Sequence, residues 1–359
     1  MKTLKNIGKI ALLSLALCGG TTSCNYLDVV PPEQASLPDA TKDPESTLGF
    51  LFSCYGGIRN PFDYQTVEAG ADEYVLPPLW NTGSQKITWD LNLPTNIADG
   101  WSWGSNYRFI GQCLLFLQQL PHARGVTDEQ KRAWAAEANF LLAYYHMVTL
   151  VAYGPCPITD TYIDQATPES EYNGRMHFDY VKDWICQKFD EVCEDGQLPA
   201  TRTGDEWGRA TSVMAKALKA RLLVYAASPL FNGSFPYKDW ENTNFETPGY
   251  GKELISLKYD RKKWEVAKAA CQEAITAAEA AGHKLFSLED AQSLYQQAGL
   301  PLPFVPFKSA EGGTADKDKE FMERVQLMRY VVTTRYKEGN RETIWGLANQ
   351  GTMIIGSLP

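Results

Sequence analysis

The chain has 359 residues, of which 44% are hydrophobic and 21% charged, so it is long enough to bury a sizeable core. Its net charge of −9 argues against a nucleic-acid partner, which would require a basic surface. Aromatic residues are abundant at 12%, with 10 Trp and 18 Tyr, and rings that fall in loops are candidates for ligand contacts.

The N-terminal segment is typical of an exported protein. Lysines precede a short apolar run over residues 10–17, which is too short for a permanent bilayer span. The segment ends with Ser23 before Cys24, which looks like a bacterial lipoprotein processing site. We therefore predict a signal peptide over 1–23 and acylation of Cys24, which would anchor the mature chain to a membrane. The alternative is an ordinary secreted protein with a free cysteine.

The later cysteines lack the spacing of metal or redox sites. No pair forms C-x-x-C, so the sequence predicts neither a zinc site nor a thioredoxin-type motif. Most of these cysteines fall inside apolar helical patterns, where cysteine behaves as a small hydrophobic residue. The cysteines that we expect to pack structurally are Cys54, Cys113, Cys156, Cys186, Cys193 and Cys271.

Amphipathic helices recur along the chain. The first begins after the cap Asp43, with Pro44 at its first position. Its expected apolar face consists of Leu48, Leu51, Phe52 and Tyr55. The second runs from about Trp103 to Leu120, and the third opens with a capping box at Thr127.

The remaining predicted helices complete a repeating pattern. The fourth covers about 178–192, the fifth runs from about Thr211 to before Pro229, and the sixth follows Asp260 and ends at Gly282. The fourth and sixth present large apolar side chains, whereas the third and fifth are richer in small ones. This alternation is typical of tetratricopeptide-type hairpins, although the period is long. We predict a mainly α fold over 24–359: a degenerate tetratricopeptide-type helical-repeat scaffold with long aromatic-rich loops.

Long connections separate these helices, at roughly 60–100, 153–176, 229–259 and 283–340. Connections of this length are usually functional or disordered. Disordered segments contain few aromatic residues, whereas these contain many. We therefore predict ordered loops packed over the helices, with some rings facing solvent or a ligand.

The sequence offers little catalytic machinery. The histidines are scattered, and there is no H-E-x-x-H, no P-loop and no dinucleotide-binding pattern. Asp72 and Glu73 are adjacent, which suits a capping turn better than an acid–base pair. Residues 100–104 read GWSWG and fit G-x-S-x-G, but a loop precedes Ser102 where a hydrolase needs a strand. We expect no enzymatic activity, cofactor or metal site, with a Ser102 hydrolase as the weaker alternative.

Several short segments occur in a characteristic order behind the predicted signal peptide. They are CNYLDVVPPEQ at 24–34, Trp103 with Tyr107 and Ile110, the aromatic-rich stretch 136–158, GRAT at 208–211 with ASPLFNG at 227–233, and NRETIWG at 340–346. Together they resemble the SusD/RagB family of outer-membrane glycan-binding lipoproteins. Members of that family normally continue into a further C-terminal region, so we expect this sequence to be incomplete at its C-terminus.

The resemblance implies a lipoprotein exposed at the cell outer membrane that binds oligosaccharide or polysaccharide and delivers it to a SusC-like TonB-dependent transporter. Sugar rings have apolar faces of axial hydrogens that stack on Trp and Tyr. The loop aromatics that we expect to stack on a glycan are Trp80, Trp89, Trp101, Tyr237 and Trp240. The alternative for each ring is packing against the scaffold. A different function for the same scaffold is peptide capture or protein docking.

Overall fold

A computed structural model describes the chain over residues 37–58, 103–164, 166–297, 315–333 and 340–346. Over these ranges the backbone is helical or irregular and forms no β-strand, so the predicted mainly α fold class is confirmed. None of the helices described there is both long enough and apolar enough to cross a bilayer.

The helices over this part of the chain are numbered in order. They are α1 (Pro44–Tyr55), α2 (Trp103–Gln119), α3 (Asp128–Tyr153), α4 (Phe178–Glu191), α5 (Ser212–Ala227), α6 (Arg261–Ala280), α7 (Leu288–Gln297) and α8 (Ala315–Thr333). The first six begin and end within a few residues of their predicted limits.

Side-chain caps explain why the helix starts were predictable. At α1, Asp43 Oδ1 accepts a hydrogen bond from the Ser46 amide at 2.7 Å. At α3 the predicted capping box is present, with the Thr127 hydroxyl accepting from the Gln130 amide and the Gln130 side chain accepting from the Thr127 amide. The Thr211 side chain also caps the start of α5 by accepting a backbone hydrogen bond. Each cap satisfies a backbone N–H group that has no partner inside its helix.

Neighbouring helices pack on one another from α2 to α6, as expected for a helical-repeat scaffold. α4 buries large side chains, namely Phe178, Val181, Ile185 and Phe189. α5 buries small residues such as Ala220 and Ala226, which allow a close approach of the neighbouring backbone.

The prediction of a large apolar face on α6 was wrong. This helix buries a stripe of alanines, Ala267, Ala270 and Ala274, whereas Trp264 and Ile275 are 42% and 51% exposed. α6 packs mainly on α5, and close contact between two helix backbones requires small residues at the interface. The alanine stripe therefore faces inward.

The prediction of an irregular connection over 283–340 was also wrong, since α7 and α8 lie within it. α8 consists largely of good helix formers such as Lys, Glu, Met and Arg. Its apolar side chains Phe321, Met328 and Val332 are exposed among charged neighbours. A helix of this kind has no strong buried stripe from which it could be recognised. The connection 229–259 is irregular, as predicted.

Candidate functional site

The loop between α5 and α6 is closed at its base by one buried side chain. Asn232 is 2% exposed, and its amide nitrogen donates to the backbone oxygens of Ala227 at 3.2 Å and Asp260 at 3.0 Å. Its side-chain oxygen accepts from the Asp260 amide at 2.6 Å. Asn232 therefore joins the end of α5 to the start of α6 and fixes the position of the residues between them.

The residue after Asn232 shows how tightly this base is packed. Gly233 has a φ of +98°, in the region that favours glycine. A Cβ added at Gly233 would lie 2.8 Å from the backbone nitrogen of Tyr259. The backbone at residue 233 therefore approaches the backbone at Tyr259 more closely than any residue other than glycine would permit.

A chain of aromatic rings connects this loop to the helical core. Phe231 stacks on Phe178 of α4, with ring centroids 4.0 Å apart. Phe235 lies 6.2 Å from Phe231 and stacks on Trp240 at 5.5 Å with an interplanar angle of 13°. Ring contacts therefore link the loop aromatics to the helical core.

Trp240 also packs on the end of α3. A Cβ placed on Gly154 would lie 3.5 Å from Cη2 of the indole. The Trp240 ring is partly buried against the core. Trp240 therefore packs on the scaffold.

Tyr237 is placed differently. Its side chain is 71% exposed and makes an edge contact with Phe235, with ring centroids 5.9 Å apart and planes at 63°. An open cavity of about 760 Å³ lies beside it. The described residues that line this cavity are Phe235, Pro236, Tyr237, Lys238, Asp239 and Trp240.

The lining combines two kinds of chemistry. The rings supply flat apolar surface, while Lys238 and Asp239 supply a hydrogen-bond donor and an acceptor beside it. Small-molecule sites commonly pair an apolar surface with a few placed polar groups. The cavity therefore suits a ligand that has an apolar face and polar edges.

The structure describes some of the predicted site residues and not others. Tyr237 and Trp240 line one cavity, together with Phe235, which we had not singled out although it belongs to the same aromatic-rich loop. The other predicted stacking residues, Trp80, Trp89 and Trp101, lie outside the described residues. So does Cys24, the predicted lipid attachment site.

Other segments that carry the family resemblance meet at a buried carboxylate. Glu137 of α3 is fully buried, and its Oε1 accepts from Arg202 at 2.9 Å and from Arg209 at 2.5 Å. Its Oε2 accepts from the Tyr55 hydroxyl at 2.7 Å. That hydroxyl accepts in turn from the Ala210 amide at 2.9 Å. One carboxylate therefore links α1, α3 and the segment before α5.

The segment 340–346 joins the same assembly. The Trp345 indole N–H donates to the Gly208 backbone oxygen at 3.0 Å. Its ring makes edge contacts with Phe140 and Tyr144 of α3, with centroids 5.5 and 5.2 Å apart. These segments therefore connect parts of the scaffold, and none of their residues belongs to the described lining of the cavity beside Tyr237.

Trp103 has the structural role predicted for it. It begins α2, and its amide donates to the Tyr153 hydroxyl at 3.0 Å. The Arg175 guanidinium lies over its ring at 4.8 Å and donates to the Pro155 backbone oxygen. Nearby, the Tyr107 hydroxyl donates to the Pro157 backbone oxygen at 2.7 Å. The start of α2 is thereby joined to the turn that follows α3.

A buried histidine lies next to this turn. His146 Nε2 accepts from the Thr159 amide at 3.1 Å, so Nδ1 carries the proton and donates to the Leu142 backbone oxygen at 2.8 Å. Burial lowers the pKa of His146 to about 4, and it lowers the pKa of the buried His177 to a similar value. Both rings are therefore neutral at pH 7.

We expect the free energy of unfolding to fall as the pH is lowered from about 6.5 to about 4. In this range the unfolded chain binds protons at these histidines that the folded chain does not bind, so at pH 4 each histidine lowers the free energy of unfolding by about 3 kcal/mol relative to pH 7. Urea denaturation at several pH values measures the effect. His146→Gln, which keeps a donor and an acceptor, should reduce the slope, whereas the exposed His122→Gln should not. Equal slopes in all three proteins would contradict the assignment.

Searches of protein-family models and of curated protein sequences gave no match. Among solved structures, BT4246 is 51% identical with a TM-score of 0.77, over 86% of this chain and 51% of that one. Its selenomethionine form is 50% identical with a TM-score of 0.73, over 85% and 50%. The SusD-like protein BF3747 from Bacteroides fragilis NCTC 9343 shares the fold at 18% identity, with a TM-score of 0.53 over 77% and 48%. The chain therefore has the fold of a SusD-like protein.

The shared fold agrees with the resemblance predicted from the sequence. The chain spans about half the length of BT4246.

Proposed function

We propose that this SusD-like chain is a non-catalytic surface lipoprotein that binds oligosaccharide or polysaccharide by aromatic stacking and delivers it to a SusC-like transporter. The observation that supports binding is the exposed Tyr237 ring beside an open cavity, on a loop whose base is closed by Asn232. A ring held in place loses little conformational entropy when a sugar stacks on it.

The polar residues of the cavity suit the same ligand. A sugar presents hydroxyl groups around the edge of an apolar ring face. Lys238 and Asp239 lie beside the aromatic surface, where an ammonium group and a carboxylate can bond such hydroxyls. Trp240 and Phe235 support the site by stacking on one another.

Tyr237→Ala is expected to weaken glycan binding about tenfold while leaving stability unchanged, because the lost stacking contributes about 1.4 kcal/mol and the ring is exposed. Isothermal titration against a panel of soluble polysaccharides and oligosaccharides measures this. Tyr259→Ala is the matched control, since Tyr259 is 65% exposed and does not belong to the described cavity lining.

Two results would contradict this site. One is equal glycan affinity of the wild type and Tyr237→Ala, and the other is equal loss in Tyr237→Ala and Tyr259→Ala. Binding of peptides without a response to any glycan would favour peptide capture. Product release from a glycan by the purified protein would contradict the non-catalytic assignment.

The proposed lipid anchor and the proposed transporter partner are supported by the sequence resemblance. Cys24→Ala is expected to release the protein from the membrane fraction of cells, because the acylated cysteine is the proposed anchor. Immunoblotting of membrane and soluble fractions measures this. An unchanged membrane fraction would contradict lipidation at Cys24.

Co-purification of a TonB-dependent transporter from solubilised membranes tests the proposed transporter partner.

A further inference from the structure

The Arg175 side chain holds the turn that follows α3. Its Nη1 donates to the backbone oxygens of Tyr153 at 3.3 Å and Pro155 at 2.5 Å. Tyr153 is the last residue of α3, and a cation beside the last carbonyl groups of a helix is favourable. One guanidinium group therefore joins the end of α3 to the turn.

Trp240 packs on this same turn. Gly154 lies between the two residues whose carbonyl groups Arg175 bonds, and a Cβ there would lie 3.5 Å from Cη2 of the Trp240 indole. The distance is that of an ordinary van der Waals contact. The indole therefore lies against a piece of backbone that is bonded to Arg175 on both sides.

The main chain of Arg175 is bonded to the loop itself. Its backbone oxygen accepts from the Asn242 side-chain amide at 2.6 Å, two residues after Trp240. The next residue, Met176, donates its amide to the Cys156 backbone oxygen at 3.2 Å, which joins this segment to the turn a second time. Arg175 thus contacts the turn through its side chain and the loop through its main chain.

The arrangement requires the shape of an arginine side chain. The guanidinium lies over the Trp103 ring at 4.8 Å while it bonds the two carbonyl groups. This distance is within the range of a cation–π interaction. A lysine ammonium has no planar face to lie on a ring, so it reproduces only part of these contacts.

We propose that Arg175 is a positioning residue for the cavity beside Tyr237, because it fixes the turn against which Trp240 packs and the loop that carries Trp240. The inference rests on the proposed glycan site. Arg175 does not belong to the described lining of the cavity, so it acts through Trp240. The Trp240 ring stacks on Phe235, which contacts Tyr237, the ring proposed to stack on a sugar. Side chains that are already ordered lose less conformational freedom on binding.

Fluorine NMR of the full-length chain labelled with fluorotryptophan tests the position of Trp240 directly. Trp240→Phe identifies the Trp240 resonance. Arg175→Met keeps the unbranched stem of the side chain and removes its donors, so it should shift this resonance. Arg202→Met is the matched control, since Arg202 is a buried arginine that pairs with Glu137 and does not belong to the described lining of this cavity. It should lower stability and leave the Trp240 resonance unchanged.

Glycan titration of the same variants tests the consequence for binding. Arg175→Met should weaken glycan binding by about two- to tenfold, as expected when one more side chain must be ordered on binding. Arg175→Lys should lie between the wild type and Arg175→Met, because its ammonium can still bond a carbonyl group. Arg202→Met should bind glycan as the wild type does.

The two measurements can fail separately. An unchanged Trp240 resonance in Arg175→Met, or an equal shift in Arg202→Met, would overturn the positioning role. A shifted resonance with wild-type glycan affinity would overturn the connection between Arg175 and the binding site. If the wild type binds no glycan, the proposed function fails, and the Trp240 resonance still decides whether Arg175 sets the position of that ring.

Discussion

Glu137→Ala is expected to lower the free energy of unfolding by about 3–5 kcal/mol, because two largely buried arginines lose their buried carboxylate and keep the exposed Glu206 as an ion-pair partner. The side chains of Arg202 and Arg209 are only 8% and 12% exposed, so water cannot replace the lost carboxylate. The Tyr55 hydroxyl would lose its acceptor as well. Chemical denaturation measured by circular dichroism gives the change directly.

Glu206→Ala is the matched control for this prediction. Glu206 bonds to the same two arginines, but its side chain is 54% exposed. Exposed ion pairs contribute about 0–1 kcal/mol, so a small effect is expected. Similar losses from the two substitutions would show that burial of Glu137 does not determine the contribution of this network.

Gly233→Ala is expected to lower the free energy of unfolding by about 2–4 kcal/mol and to weaken glycan binding. The left-handed backbone at φ +98° costs a non-glycine residue about 1–2 kcal/mol. The new Cβ would also lie 2.8 Å from the Tyr259 backbone nitrogen, and overpacking adds about 1–3 kcal/mol. Tyr259 cannot move freely, because Asn232 holds the adjacent Asp260. Denaturation and glycan titration of the same variant measure both effects.

Gly249→Ala separates the two causes. Gly249 lies in the same loop with a φ of +80°, but a Cβ there would have no atom within 4 Å. This control should show the backbone strain without the clash and should leave glycan affinity unchanged. If both variants lose the same stability, close packing at the loop base is not responsible for the effect.

The segments that resemble the family and the residues proposed to bind a glycan lie in different parts of the chain. Glu137, Gly208 and Trp345 come from segments that resemble the family, and all three participate in one structural assembly. Asn232 belongs to another such segment and closes a loop. Tyr237 lies outside these segments, on the loop that Asn232 holds. Residues that build the common scaffold can therefore identify the family without specifying its ligand.

The limits of prediction are visible in α1 and α6. The start of α1 was predicted correctly from Asp43 and Pro44, yet Phe52, expected on its apolar face, is 45% exposed and lies beneath the Arg209 guanidinium at 5.6 Å. In α6 the start after Asp260 was likewise correct, and the buried side was not. A cap acts within a few residues of the chain, whereas the buried side depends on a distant partner.

The sequence by itself determined the limits of α1 to α6 and the repeat-type scaffold, because capping residues, proline, glycine and apolar spacing act over one or two helical turns. Only the tertiary structure decided which of the loop aromatics are exposed. Tyr237 and Trp240 are three positions apart in one loop, yet one is exposed and the other packs on Phe235 and the end of α3. The difference arises from contacts with residues far along the chain, which a local sequence pattern does not encode.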